Sequence, residues 1–78
     1  MADELVPRIL AVLAATFGVP APSLDGSSSS ATIPGWDSLN HIHLMIALEG
    51  EFGVSFEPEQ AVELTSVRAI EQAIVAAR

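Results

Sequence analysis

The sequence has no cysteine and no lysine, only four aromatic residues, and no alternating run long enough to read as a strand. Without cysteine, neither a disulfide framework nor a thiolate metal site is available to reinforce it. Without lysine, and with three arginines against ten acidic residues, the formal net charge is −7. That balance argues against nucleic-acid binding, which needs cationic side chains to displace counterions. It argues equally against docking on anionic membranes. A targeting segment is also missing. The apolar run from Ile9 to Val19 follows Asp3 and Glu4 instead of a basic region, and it is too short to span a bilayer. A cytoplasmic protein is the expectation.

What is present fits a small helical protein. Seventy-eight residues allow one domain, spanning 1–78. A chain this short buries only about 60% of its unfolded surface, so its stability rests on a small, well-packed core. Its hydrophobic half is rich in Ala, Leu, Val and Ile, as expected of short helices packed on one another. Six of the ten acids (Asp37, Glu49, Glu51, Glu57, Glu59 and Glu63) fall within residues 37–63. They read as a docking surface for protein partners with basic patches. A monomer is expected.

Periodicity places the elements. Val6, Ile9, Leu10, Leu13 and Phe17 share one face of a first helix over 3–17. Asp3 is its expected cap, Pro7 restricts where it begins, and Gly18 ends it. Residues 18–37 form a long first loop, of a length that is usually functional or mobile. Its run Gly26-Ser27-Ser28-Ser29-Ser30 favours no packed element, while Val19, Leu24, Ile33 and Trp36 can pin it at intervals. A second helix covers 38–52, closed by Gly53. After the extended piece 54–56, Glu57 and Pro58 open a short helix to about Val62. Thr65 then caps a last helix to about Ala77, with Val67, Ile70, Ile74 and Ala77 on one face and Arg78 at its end. The expected fold is all-α: a small four-helix bundle of three main helices and one short one. Leu44, Leu48, Phe52, Ile70 and Ile74 are the expected core.

The most informative stretch is Pro34-Gly35-Trp36-Asp37-Ser38-Leu39-Asn40-His41-Ile42-His43-Leu44. Pro34 and Gly35 close the polar loop, and the apolar-periodic segment starts directly after them. Asp37 is a good N-cap, its carboxylate accepting from the first turn. Ser38 then takes the first helical position, at the positive end of the helix dipole. A phosphate ester there would sit among unpaired N–H groups. The helix that follows carries two apolar stripes. Leu44, Met45, Leu48 and Phe52 form one, and Leu39, Ile42 and Ile46 the other, with Ser38 between them.

Catalytic readings fit poorly. Ser38 and His41 are neighbours on a helix surface. A hydrolase also needs a nucleophile on a strained turn, a third orienting group and an oxyanion hole. Ser38 lacks the Gly-x-Ser-x-Gly setting. His41 and His43, two apart, point in different directions, and no cysteine stands near, so no zinc site is expected. His41 falls in the core-facing sector, a half-buried histidine with a hydrogen bond. His43 faces solvent or a partner. Neither catalytic residues nor metal ligands are assigned.

Asp37-Ser38-Leu39, followed by Ile42, Leu44, Met45, Leu48, Glu49, Glu51, Phe52 and Gly53, is similar to the acyl carrier proteins. The longer runs Gly35-Trp36-Asp37-Ser38-Leu39 and Leu48-Glu49-Gly50-Glu51-Phe52-Gly53 make the resemblance specific. It covers nearly all the chain and is strongest from Ile33 to Phe56. The resemblance implies that Ser38 carries a 4′-phosphopantetheine arm, attached from coenzyme A by a phosphopantetheinyl transferase using Mg²⁺. It implies a discrete, non-enzymatic carrier that presents an acyl thioester to loading and processing enzymes. They would dock through Asp37, Leu39, Ile42, Ile46, Glu49 and Glu51. Carriers of bacterial fatty-acid synthesis commonly have acids where this chain has Asn40 and His43, which points to a specialised, polyketide-like pathway. Two alternatives stay open: an aminoacyl or peptidyl carrier, and an acidic helical adaptor with no arm.

Overall fold

In a computed structural model, the described residues run from Ala2 to Ala77, with side chains described from Leu5 onward. Asp3, the expected cap, instead lies inside α1, which begins at Ala2, and the role expected of Arg78 lies outside the described residues. The elements are α1 (Ala2–Phe17), α2 (Ser38–Phe52), α3 (Pro58–Ala61) and α4 (Val67–Ala77), with a 3-10 turn at Ala21–Ser23. This is the four-helix arrangement anticipated, three longer helices and one of a single turn. None of the described helices is long and apolar enough to cross a membrane.

Three helices build the core. Leu5, Ile9 and Leu13 of α1 meet Leu44 and Leu48 of α2 and Val67, Ile70 and Ile74 of α4, all fully buried. The α1 stripe is centred one row from the expected face, because Leu5, Ile9 and Leu13 recur every fourth residue. Val6, Leu10 and Phe17 flank it, half-buried. The helix starts at Ala2, one residue before the expected bound, and carries Pro7 in its interior. Proline inside a helix costs about 3 kcal/mol. Burying Leu5 returns roughly 1.5–3 kcal/mol, so the early start is close to neutral.

Gly18 and Gly53, left-handed at φ 67° and 65°, close α1 and α2 as expected. The cap of α4 needs correction. Ser66, not Thr65, accepts the Ala69 N–H at 3.1 Å. Ala73 is buried on α4, whereas Ala77 is exposed in the last turn. Phe52 is half-buried with the Arg8 guanidinium 4.5 Å above its ring, while Arg8 also reaches Glu51 at 3.3 Å.

The serine run departs most from expectation, since it packs. Ser28 is only 7% exposed, and its hydroxyl accepts the Asp25 N–H at 3.0 Å. Its carbonyl accepts the Val67 N–H, also at 3.0 Å, satisfying one of the donors that the start of α4 leaves free. The Ser30 N–H donates to the Thr65 carbonyl at 2.8 Å, so a one-residue antiparallel bridge pairs Ser29 with Ser66. Buried Leu24 and Ile33 anchor the loop on either side, as the apolar spacing suggested. The loop is thereby fixed against α4, and this fixes the approach to Ser38.

Candidate functional site

The turn before α2 is closed by polar contacts between neighbours. Gly35 turns the chain at φ 84°, and its carbonyl accepts both the Asp37 N–H at 2.9 Å and the Asn40 side-chain amide at 2.8 Å. Asp37 is extended at the N-cap, its Oδ1 accepting the Asn40 N–H at 2.8 Å. Ser38 therefore begins the helix with its side chain exposed, at a helix N-terminus that carries partial positive charge. No cation from this chain is needed to make that end hospitable to an anion.

A second set of contacts goes beyond the sequence expectations. The indole N–H of Trp36 donates to His41 Nδ1 at 3.0 Å, and His41 Nε2 lies 2.8 Å from the Ala61 carbonyl. Indole only donates, so Nδ1 must be the acceptor. Nε2 then carries the proton and donates to Ala61. The bridge fixes one neutral tautomer of His41. It joins the turn, α2 and α3. Trp36 also stacks on Phe17, with centroids 5.0 Å apart. His41 is thus the half-buried, hydrogen-bonded histidine expected, and His43 is exposed. The overlooked signal was a single tryptophan five residues before a histidine, because a half-buried indole N–H usually finds a partner.

Beside Ser38 lies a groove of about 500 Å³. Trp36, His41, Ile42 and Val62 line it. Ser30 and Thr65, held together by their backbone bond, line it as well. The second stripe of α2 continues outward from this groove. Leu39 is 62% exposed, Ile42 56% and Ile46 64%. Val62 adds to the same apolar surroundings at 69%. Of the acids expected on this surface, three are engaged within the chain, Asp37 as the cap of α2. The Glu49 carboxylate accepts the Phe56 N–H at 2.8 Å, and Glu51 pairs with Arg8.

A family model described as phosphopantetheine attachment site matches residues 7–74. The chain belongs to this family. Phosphopantetheine-attachment domains carry covalently attached 4′-phosphopantetheine and interact with a phosphopantetheinyl transferase and biosynthetic enzymes. The residues present fit such a group. An exposed serine stands at a helix N-terminus, and a groove lined by both polar and apolar residues opens beside it.

Proposed function

We propose that Ser38 is the attachment residue, and that residues 1–78 act as one acyl carrier domain without catalytic activity of its own. The observation that carries this reading is the exposed Ser38 hydroxyl at the Asp37-capped start of α2, inside the matched span. When bound, the arm supplies a terminal thiol on which cargo rides as a thioester. Ser38 Oγ forms the new P–O bond as the pyrophosphate link of coenzyme A breaks. The nucleotide leaves with that bond's electrons, and the hydroxyl proton passes to the transferase. Asp37 and Asn40 hold the turn so that Ser38 projects outward, and the free N–H groups of the first turn face the resulting phosphodiester. Leu39, Ile42 and Ile46 supply the apolar part of the docking surface, with Asp37, Glu49 and Glu51 around it.

The pathway reading follows from Asn40 and His43, which stand where fatty-acid carriers commonly have acids. Asn40 has a further use, since its amide donates to the Gly35 carbonyl, which a carboxylate cannot do. Each missing exposed ion pair weakens docking by about 0.2–1 kcal/mol. A dedicated, specialised acyl pathway fits better than housekeeping fatty-acid synthesis.

The test is mass spectrometry after incubation with coenzyme A and a broad-specificity transferase. Wild type should gain one arm and Ser38→Ala none. Modification persisting in the mutant would overturn the assignment. The arm-bearing protein should then accept acyl groups from an acyltransferase more readily than amino acids from an adenylating enzyme. It should also be a poorer substrate for a fatty-acid transacylase than a fatty-acid carrier is; parity would remove the specialised-pathway reading.

A further inference from the structure

α3 is a single turn, and none of its residues is buried. Helices this short do not hold themselves together, so tertiary contacts set where α3 sits. Among the described residues, one side-chain hydrogen bond reaches it, from His41 Nε2 to the Ala61 carbonyl. The same imidazole takes the Trp36 indole N–H on its other nitrogen. Val62, directly after α3, and Trp36, two residues before Ser38, both line the groove beside Ser38, as does His41 itself. One neutral side chain therefore ties the Trp36 turn to the Ala61 end of α3.

We propose that His41 is a positioning residue: through Trp36 and Ala61 it holds the groove open as a seat for the pantetheine arm. This rests on the reading that Ser38 bears the arm. The chemistry of the groove matches that of the arm, which is an apolar stem interrupted by two amides. Trp36, Ile42 and Val62 present apolar surface to the stem. The hydroxyls of Ser30 and Thr65 have no hydrogen-bond partner among the described residues, and both residues line the same groove. Each hydroxyl can both donate to an amide carbonyl and accept from an amide N–H. Trp36 is itself held on two sides, by the bond to His41 and by stacking on Phe17. Its position is thus set before the arm arrives, which lowers the ordering cost of seating the arm.

Three variants separate this role from a merely structural one. His41→Leu removes both bonds. Trp36→Phe removes the indole donor but keeps a ring to stack on Phe17. His41→Gln keeps one acceptor and one donor on the side chain. Helical circular dichroism checks that each folds, and mass spectrometry checks that each accepts one arm on Ser38. The readout is the change in backbone amide resonances between the arm-free and arm-bearing protein. In wild type, attachment should shift Ser30, Val62 and Thr65 as well as Ser38 and Leu39. In His41→Leu, and to a lesser degree in Trp36→Phe, the shifts at Ser30, Val62 and Thr65 should collapse while those at Ser38 and Leu39 remain. His41→Gln should restore them in part. In the arm-free His41→Leu protein, the Ala61 and Val62 amides should exchange about three- to tenfold faster, the effect of one lost hydrogen bond. Unchanged shifts at the three groove positions in His41→Leu, or none there in wild type, would overturn the proposal alone. A wild type that takes no arm on Ser38 would overturn the attachment reading, and this proposal with it.

Discussion

α2 and the loop before it deliver Ser38 by opposite means. The helix is held by apolar packing. Leu44 and Leu48 are fully buried, and Met45 nearly so. The loop, residues 18–37, contributes two buried hydrophobic residues, Leu24 and Ile33, and is otherwise held by half-buried Trp36 and by single hydrogen bonds, several of them made by serines. Packing along a helix repeats every turn, so losing one contact leaves the others in register. The loop's bonds are each single and reach across the chain, Ser28 to Val67 and Ser30 to Thr65. Ser38 is thus fixed from one side by a core and from the other by a few polar ties.

The contrast is sharpest within α2 itself. Leu48→Ala should produce the largest loss of stability, about 2–5 kcal/mol, because it leaves a cavity where three helices meet. For a domain of this size that lowers Tm by roughly 10 °C or more. Ile46→Ser, two residues away on the 64% exposed stripe, should change stability by no more than about 0.5 kcal/mol. It should instead weaken transfer to partner enzymes. Urea unfolding of both variants, alongside a transferase assay, checks the pair. Equal losses of stability would mean that the outer stripe is packed in solution.

The two regions also differ in how far they could be read in advance. The stripes of α2, its Asp37 cap and its Gly53 end follow from local spacing, and all three are as expected. Leu5 lies within the expected first helix but outside its expected apolar face, which begins at Val6, and only tertiary packing brings it into the core. The packing of Ser28 was not readable, because its carbonyl partner lies thirty-nine positions along, at Val67. The shift of the α4 cap from Thr65 to Ser66 has the same origin. The Thr65 carbonyl is taken up in the bridge to Ser30, and the chain enters the helix one residue later. In the Trp36–His41–Ala61 bridge the first pair, five apart, had a local signal in the lone tryptophan, whereas the second, twenty apart, had none.

Breaking one polar tie should measure what the loop's order is worth. Ser28→Ala removes the hydroxyl that accepts the Asp25 N–H but leaves the carbonyl that caps Val67. A half-buried donor left without its partner costs about 1 kcal/mol. The loss should therefore be well below that of Leu48→Ala. Amide exchange should speed up at Asp25 while the Val67 amide stays protected. A loss as large as the core variant's would show that the serine run is as central as the helix packing.

The smallest effect is expected at the outer end of the loop, where Asp25 ties down Ser27. Its Oδ1 accepts the Ser27 N–H at 2.8 Å and the Ser27 hydroxyl at 2.6 Å. The hydroxyl bond, and after it the backbone bond, holds the carboxyl below its ordinary value of 3.8. Both bonds favour the charged form, so the sign follows directly. A depressed carboxyl contributes stability that is present above its unfolded value and is lost as pH falls through the lower, folded one. Asp25 is fully exposed, so solvent screens the gain and the global unfolding curve should hardly move. A carboxyl NMR titration should find Asp25 titrating below 3.8, with the Ser27 amide shift following the same curve. Ser27→Ala removes the hydroxyl bond and keeps the backbone one, so the midpoint should rise part of the way back. If it does not rise, the hydroxyl is not the main cause, and this end of the loop is ordered by its backbone alone.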